Sequence, residues 1–99
     1  MKSGYNVLWT QNALDDLKQT IEYLENNFTD KEIQKLATKI ESTIELISQN
    51  PTIYPKSEYK NIYRATILKF NTMYYRVIKN NIEILSFFSN RQNPKRLKI

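Results

Sequence analysis

The chain contains no cysteine and no histidine, and Gly4 is its single glycine. The missing cysteines exclude disulfides, thiolate nucleophiles and zinc–thiolate sites, and the missing histidines remove the commonest metal ligand and general base. One glycine is too few for a glycine-rich phosphate loop. No apolar run approaches the roughly 20 residues of a membrane span, and the N-terminus has no long apolar segment of the signal-peptide type. We therefore expect a cytoplasmic protein that needs no metal and no cofactor.

The length of 99 residues predicts a single domain spanning residues 1–99. Hydrophobic residues make up 40% of the chain and charged residues 25%, which is ordinary for a globular protein and argues against disorder.

Charge is distributed unevenly along the chain. Residues 1–50 hold five lysines and eight acidic residues, a net charge of −3, whereas residues 51–99 hold ten cations and two acids, a net charge of +8. All four arginines lie in the second half. Arginine suits bidentate contact with phosphate or carboxylate, so the C-terminal half is expected to face an acidic partner, either nucleic acid or an acidic protein segment. A solubilising surface is the alternative.

The first third of the chain predicts a strand followed by a helix. Apolar and polar residues alternate over Tyr5–Thr10, and the Thr10 side chain can cap a helix that stops near Asn27. Asp15 and Asp16 fall in its first turns, where the helix dipole favours negative charge. The apolar stripe of this helix consists of Ala13, Leu14, Leu17, Ile21, Leu24 and Phe28.

A second helix is predicted directly after the first, giving an antiparallel helical hairpin. Thr29 and Glu32 have capping-box spacing, and Phe28 and Ile33 have the spacing of a hydrophobic staple. Pro51 ends the helix near Gln49. The apolar stripe of the second helix consists of Ile33, Leu36, Ala37, Ile40, Ile44 and Ile47.

After a polar loop over Asn50–Lys60, the sequence period changes to two. This period predicts strands over Ile62–Leu68, Asn71–Ile78 and Ile82–Phe88, with a tight turn at Asn80-Asn81. The fold class is therefore α+β: an N-terminal strand, a helical hairpin and a three-strand antiparallel meander, with the helices packed on one face of one sheet.

Period-two counting assigns the meander residues to two faces. The face toward the helices would hold Tyr63, Ala65, Ile67, Met73, Tyr75, Val77, Leu85 and Phe87. The outer face would expose Arg64, Thr66, Tyr74, Arg76, Ser86 and Phe88. Interleaved cations and aromatics of this kind can contact nucleic acid by stacking and phosphate pairing, or can simply form cross-strand pairs on a solvated face.

Several segments together resemble the RelE/ParE superfamily of bacterial type II toxins. The opening YNVLWTQNALDDLKQTIEYL is similar to the start of these toxins, Arg64 sits on the first meander strand, MYYRVIKNNIEIL matches their hydrophobic–Tyr–Arg hairpin, and NRQNP resembles their closing basic motif. The likeness covers nearly the whole chain and agrees in element order.

The resemblance implies a toxin of a plasmid-stabilisation module, neutralised by a co-encoded antitoxin whose C-terminal segment wraps it. RelE-like members cleave mRNA on the ribosome without a metal, ParE-like members inhibit DNA gyrase by protein–protein contact, and some relatives show no measurable toxicity. All three outcomes are open for this chain: gyrase inhibition, ribosome-dependent mRNA cleavage, and a degenerate toxin that only binds its antitoxin.

The side chains favour the gyrase branch, because metal-free RNA cleavage needs a base, an acid and charge stabilisation at phosphorus. Where many relatives carry a histidine near the end of the last strand, this chain has Ser89. If the chain is a nuclease, Arg64 and Arg76 would hold the phosphate and Tyr74 would be the acid. Glu58 or Lys60 would then lie near the base position.

The expected partners are an antitoxin with an acidic, amphipathic C-terminal segment, and either gyrase or the ribosome with its mRNA. No membrane partner is expected, and a hetero-oligomer with the antitoxin is. In the tail, two arginines are predicted to engage the target more than to stabilise the fold. The residues predicted to bind target or antitoxin are Arg64, Tyr74, Arg76, Phe88, Arg91 and Arg96.

Overall fold

A computed structural model describes residues 4–89 of the chain. Two helices follow a short first strand, and three further strands complete the order predicted from the sequence. The elements are β1 (Asn6–Trp9), α1 (Gln11–Asn27), α2 (Asp30–Gln49), β2 (Tyr63–Ile67), β3 (Asn71–Ile78) and β4 (Asn81–Ser89).

The four strands form one sheet in the order β1-β4-β3-β2. Strands β2, β3 and β4 make the antiparallel meander, and β1 pairs with β4 in parallel, with Val7 opposite Ile82 and Trp9 opposite Ile84. The pairing of β1 with β4 places the first and last described strands together. The predicted fold class is therefore confirmed, and the structure adds the edge that the first strand joins.

The core lies between the helical hairpin and one face of the sheet, because each helix turns one apolar stripe inward. Three predicted stripe positions are wrong: Leu14, Phe28 and Ala37 are exposed. Phe28 follows α1 in extended conformation, and its ring centroid is 6.0 Å from that of Tyr23. The buried core consists of Ala13, Leu24, Leu36, Ile40, Ile47, Ala65, Ile67, Met73, Tyr75, Ile82, Ile84 and Phe87.

The helix caps match the prediction at α1 and differ at α2. The Thr10 hydroxyl accepts a hydrogen bond from the Ala13 backbone N–H at 3.2 Å. Thr29 also occupies the cap position of α2, but its side chain makes no capping hydrogen bond; the Glu32 N–H bonds to the Thr29 carbonyl instead. The predicted capping box is therefore replaced by a backbone turn.

Two details of the meander differ from period-two counting. The turn between β3 and β4 is centred on Lys79 and Asn80 rather than Asn80-Asn81, and Lys79 has φ 56°. The register between β3 and β4 shifts where β3 passes from Tyr74 to Tyr75. Tyr74 pairs with Ser86 and Tyr75 pairs with Ile84, so Leu85 is an extra residue in β4. This β-bulge moves Ile84 to the inner face and takes Leu85 out of the predicted alternation.

Strand β1 pairs with residues 81–84 of β4, and the start of α1 covers the rest of that edge. Once β1 has ended at Trp9, the Asn12 side-chain amide donates to the Leu85 carbonyl at 2.9 Å. One turn later the Asp16 carboxylate accepts from the Phe87 backbone N–H at 3.1 Å and from the Ser86 hydroxyl at 2.9 Å. Asn12 and Asp16 are four residues apart and therefore share one helix face. These two side chains thus supply hydrogen bonds to β4 that a longer β1 strand would otherwise make.

Tyr75 ties the loop after α2 to the sheet. Its ring stacks on Tyr63 at 5.3 Å, and its hydroxyl donates to the Pro51 carbonyl at 2.7 Å. Burial raises the pKa of Tyr75 well above its ordinary value of 10, and the neighbouring phenols Tyr63 and Tyr54 raise that pKa further. The folded chain therefore keeps this phenol proton to a higher pH than the unfolded chain does.

This proton predicts alkaline destabilisation. Above pH about 10 unfolding releases the proton, so the free energy of unfolding should fall as the pH rises. Tyr75→Phe should lower that free energy by about 1 kcal/mol at pH 7 and flatten its fall between pH 9 and 11. Urea titrations across that range measure both effects, with Tyr23→Phe as a control. An unchanged alkaline slope in Tyr75→Phe would contradict this account.

Candidate functional site on the outer sheet face

The loop before β2 folds back along that strand and carries side chains over the outer face. The Arg64 N–H donates to the Pro55 carbonyl at 2.9 Å, and the Ser57 N–H donates to the Ile62 carbonyl at 2.7 Å. The tight connection between them uses Asn61 at φ 61°, a left-handed conformation that asparagine tolerates. Glu58, Tyr59 and Lys60 therefore lie in a short turn beside the first residues of β2.

Arg64 lies in the middle row of the outer face. It pairs with Tyr74 on β3, which in turn pairs with Ser86 on β4. The Arg64 side chain is exposed. The ion pairs within 4 Å among residues 4–89 are Glu32–Lys35 and Arg76–Glu83, so none of the described carboxylates neutralises this guanidinium. Arg64 is a solvent-facing cation beside an aromatic wall.

Tyr74 forms that wall and is buried, which corrects its prediction as an exposed aromatic. The residue is 8% exposed, because the Tyr59 ring packs edge-on against it at 6.2 Å. Burial raises the pKa of Tyr74; Arg64 opposes the rise, and Tyr59 and Glu58 add to it. The phenol therefore stays protonated and is a weaker acid than a free tyrosine. Period-two counting assigned the right face but could not show that a loop covers it.

Arg76 lies in the next row of the outer face and is already paired. Its Nε is 2.8 Å from Glu83 Oε1, its cross-strand partner. The exposed Leu8 lies beyond Glu83 on β1. Arg64 and Arg76 are thus on one face as predicted, but only Arg64 presents an uncompensated charge.

The other predicted residues lie at varying distances from Arg64 along the sheet. Glu58 and Lys60 are exposed in the turn next to β2. Phe88 is half-buried in the row of Thr66 and Thr72. Ser86, predicted on the outer surface, is 1% exposed and hydrogen-bonded to Asp16. Arg91 and Arg96 are outside the described residues.

The site as a whole is the Arg64 cation beside the wall formed by Tyr59 and Tyr74, which we call the aromatic shelf. This arrangement is suited to binding an acidic group. Ser89 is buried opposite Asn71, on the helix side of the sheet by alternation. Between residues 4 and 89, no three carboxylate, imidazole or thiol side chains cluster closely enough to hold a metal ion. No helix in the same range has the length and apolarity needed to cross a membrane.

Solved structures with the same fold come from several bacteria. The chain superposes on a protein of the chromosomal ParDE system from P. aeruginosa with a TM-score of 0.72 and 18% identity, covering 86% of this chain and 95% of that one. The YoeB dimer from Staphylococcus aureus gives 0.61 at 22% identity, with 85% and 94% covered. The E. coli DinJ-YafQ toxin–antitoxin complex gives 0.60 at 9% identity, with 90% and 96% covered.

Sequence comparison assigns the family. No curated protein matches the chain. The family model described as the ParE toxin of the type II toxin–antitoxin system parDE matches residues 7–94, which is most of the chain. The resemblance to the RelE/ParE superfamily is confirmed, and the chain belongs to the ParE toxin family of type II toxin–antitoxin systems.

Proposed function

We propose that this toxin inhibits DNA gyrase by protein–protein contact and is held inactive in the cytoplasm by a co-encoded antitoxin. The whole chain acts as one domain of a plasmid-stabilisation module, and toxin and antitoxin form a hetero-oligomer. Arg64 is the centre of the binding surface, flanked by the Tyr59–Tyr74 shelf, and Phe88, Arg91 and Arg96 also bind target or antitoxin.

The burial of Tyr74 and the ion pairing of Arg76 are the observations that most support gyrase inhibition over RNA cleavage. A nuclease built on this face would use Arg64 and Arg76 on the phosphate and Tyr74 as acid. Arg76 already forms an ion pair with Glu83, with 2.8 Å between Nε and Oε1. Burial raises the pKa of Tyr74 and shields its side chain from solvent. A buried phenol with a raised pKa protonates a leaving oxygen poorly at neutral pH. Binding, in contrast, needs only the exposed Arg64 and its surroundings.

A gyrase supercoiling assay tests this function. Purified toxin should inhibit the supercoiling of relaxed plasmid, and adding the antitoxin encoded beside the toxin gene should restore it. Full supercoiling at saturating toxin would contradict gyrase inhibition.

Primer extension on mRNA from induced cells separates the alternatives. Gyrase inhibition predicts no new 5′ ends, whereas a ribosome-dependent interferase produces them soon after induction. If neither gyrase inhibition nor cleavage is seen while the antitoxin still binds, the chain is a degenerate toxin.

A further inference from the structure

A second surface lies on the helix side of the sheet, where the tip of the helical hairpin meets the β2–β3 turn. It encloses a cleft of about 230 Å³, which we call the tip cleft. Apolar walls come from Tyr23 and Leu24 at the end of α1, from Leu36 on α2 and from Leu68 and Phe70 in the turn. This volume is large enough for a large apolar side chain.

Leu68 is the unusual feature of this surface. The residue has φ 57° and is 37% exposed. A left-handed conformation is costly for a bulky residue, and more than a third of the leucine surface is still open to solvent. Leu68 also borders a second groove along α2, so one side chain separates two depressions. Such local strain at an exposed apolar residue points to a contact that the isolated chain does not make.

Lysines surround both depressions. Lys31, Lys35 and Lys39 are spaced four residues apart and follow one face of α2. Lys69 lies over the Phe70 ring, 5.6 Å from its centroid. Glu32 is the acidic residue at the cleft, and it is 3.9 Å from Lys35. The rim therefore keeps a net positive charge around an apolar centre.

One buried acceptor at the cleft also lacks a donor. Asn71 lines the cleft at 8% exposure, and its Oδ1 has no hydrogen-bond partner. Buried polar atoms are nearly always hydrogen-bonded, so this wall of the cleft contains an acceptor that the described chain leaves unsatisfied.

We propose that the tip cleft and Leu68 form a docking site for an acidic protein segment that carries a large apolar side chain, supplied by the antitoxin. The proposal rests on the antitoxin partnership proposed above and gives it a second contact besides Arg64. The apolar side chain fills the cleft against Leu68, and carboxylates on either side of it meet the α2 lysines.

Charge complementarity selects this occupant over others. The chain's own residues 90–99 contain four cations and no acidic side chain, and a second copy carries the same net charge of +5. Both would bring positive charge to a positive rim. Nucleic acid matches the lysines but does not use a strained leucine beside an apolar cleft.

Two substitutions test the site, with the antitoxin encoded beside the toxin gene as the probe in calorimetric titration. Leu68→Gly removes the apolar side chain and suits the left-handed backbone, so the melting temperature should be equal or higher while the antitoxin binds at least tenfold more weakly. Lys35→Glu alters a well-exposed side chain and should also weaken binding at least tenfold at low salt.

Matched controls come from the same chain. Lys79→Gly makes the same backbone change at φ 56°, at the far end of the sheet, and Lys18→Glu makes the same charge change on α1. Both should bind within about twofold of wild type.

The outcomes separate the two proposals. If wild type binds no antitoxin, the partnership is overturned and the docking site with it. If wild type binds the antitoxin and both Leu68→Gly and Lys35→Glu bind it with the wild-type affinity, the docking site alone is overturned. If a single-stranded RNA oligonucleotide binds wild type but not Lys35→Glu, while Lys35→Glu binds the antitoxin as tightly as wild type does, the lysines belong to a nucleic-acid contact and the docking site is also overturned.

Discussion

Asp16→Ala is expected to be among the most damaging single substitutions outside the apolar core. The carboxylate accepts two hydrogen bonds from β4, from the Phe87 N–H and the Ser86 hydroxyl. Ser86 and Phe87 are almost fully buried, so both donors would lose their partner with little water to replace it. Hydrogen bonds to a charged acceptor contribute about 1.5–3 kcal/mol, and we expect a loss of about 2–3 kcal/mol in the free energy of unfolding.

For a chain of this size that loss corresponds to a fall of roughly 10–20 °C in melting temperature, measurable by circular dichroism or calorimetry. Asp15→Ala is the matched control, since this neighbouring carboxylate is exposed and accepts a hydrogen bond from the Gln11 side chain at 2.9 Å. It should change stability by less than about 0.5 kcal/mol. Asp16→Asn keeps one acceptor oxygen and should fall between the two. Equal stability of the two alanine variants would show that Asp16 does not hold the β4 edge.

The element order was predictable because its signals are local. Period-two alternation indicated the strands, and Asn71–Ile78 was predicted with the bounds observed. The Thr10 cap and the break before Pro51 depend on neighbours a few residues away. The helical hairpin followed from the short connection at Phe28.

The role of Asp16 was not predictable, because it depends on a contact 70 residues away. In the sequence Asp16 is one of two adjacent acids and suggests only a favourable dipole interaction. The bulge at Leu85 was hidden for a similar reason: a one-residue shift between paired strands leaves no local mark, yet it reverses the face of every residue after it. The edge that β1 joins also depends on packing rather than on its own residues.

The candidate site was partly predictable. Alternation placed Arg64 and Tyr74 on one face, and the register confirms that they are direct cross-strand neighbours. The burial of Tyr74 comes from Tyr59, in a loop whose path is set by backbone hydrogen bonds to β2. The pairing of Arg76 with Glu83 could have been found by counting across the β3–β4 turn, had that turn been assigned to Lys79 and Asn80.

Arg64→Glu is expected to weaken antitoxin binding by about 10- to 100-fold, equivalent to roughly 1.4–2.8 kcal/mol. Arg64 is exposed, and no carboxylate of residues 4–89 lies within 4 Å of it, so its full charge is available to an acidic partner. Reversing the charge replaces attraction with repulsion and leaves the buried shelf behind it intact. Because the side chain is exposed, the melting temperature should stay close to that of wild type.

Titration of labelled antitoxin into both proteins measures this effect, and Lys79→Glu is the matched control. It makes the same charge change in the exposed β3–β4 turn and should bind nearly as wild type does. The difference between wild type and Arg64→Glu should shrink as salt rises from 50 to 500 mM, because screening weakens exposed charge pairs, and it should lie partly in the association rate. If Arg64→Glu and Lys79→Glu lose affinity equally at low salt, the effect is one of net charge and Arg64 is not at the centre of the interface.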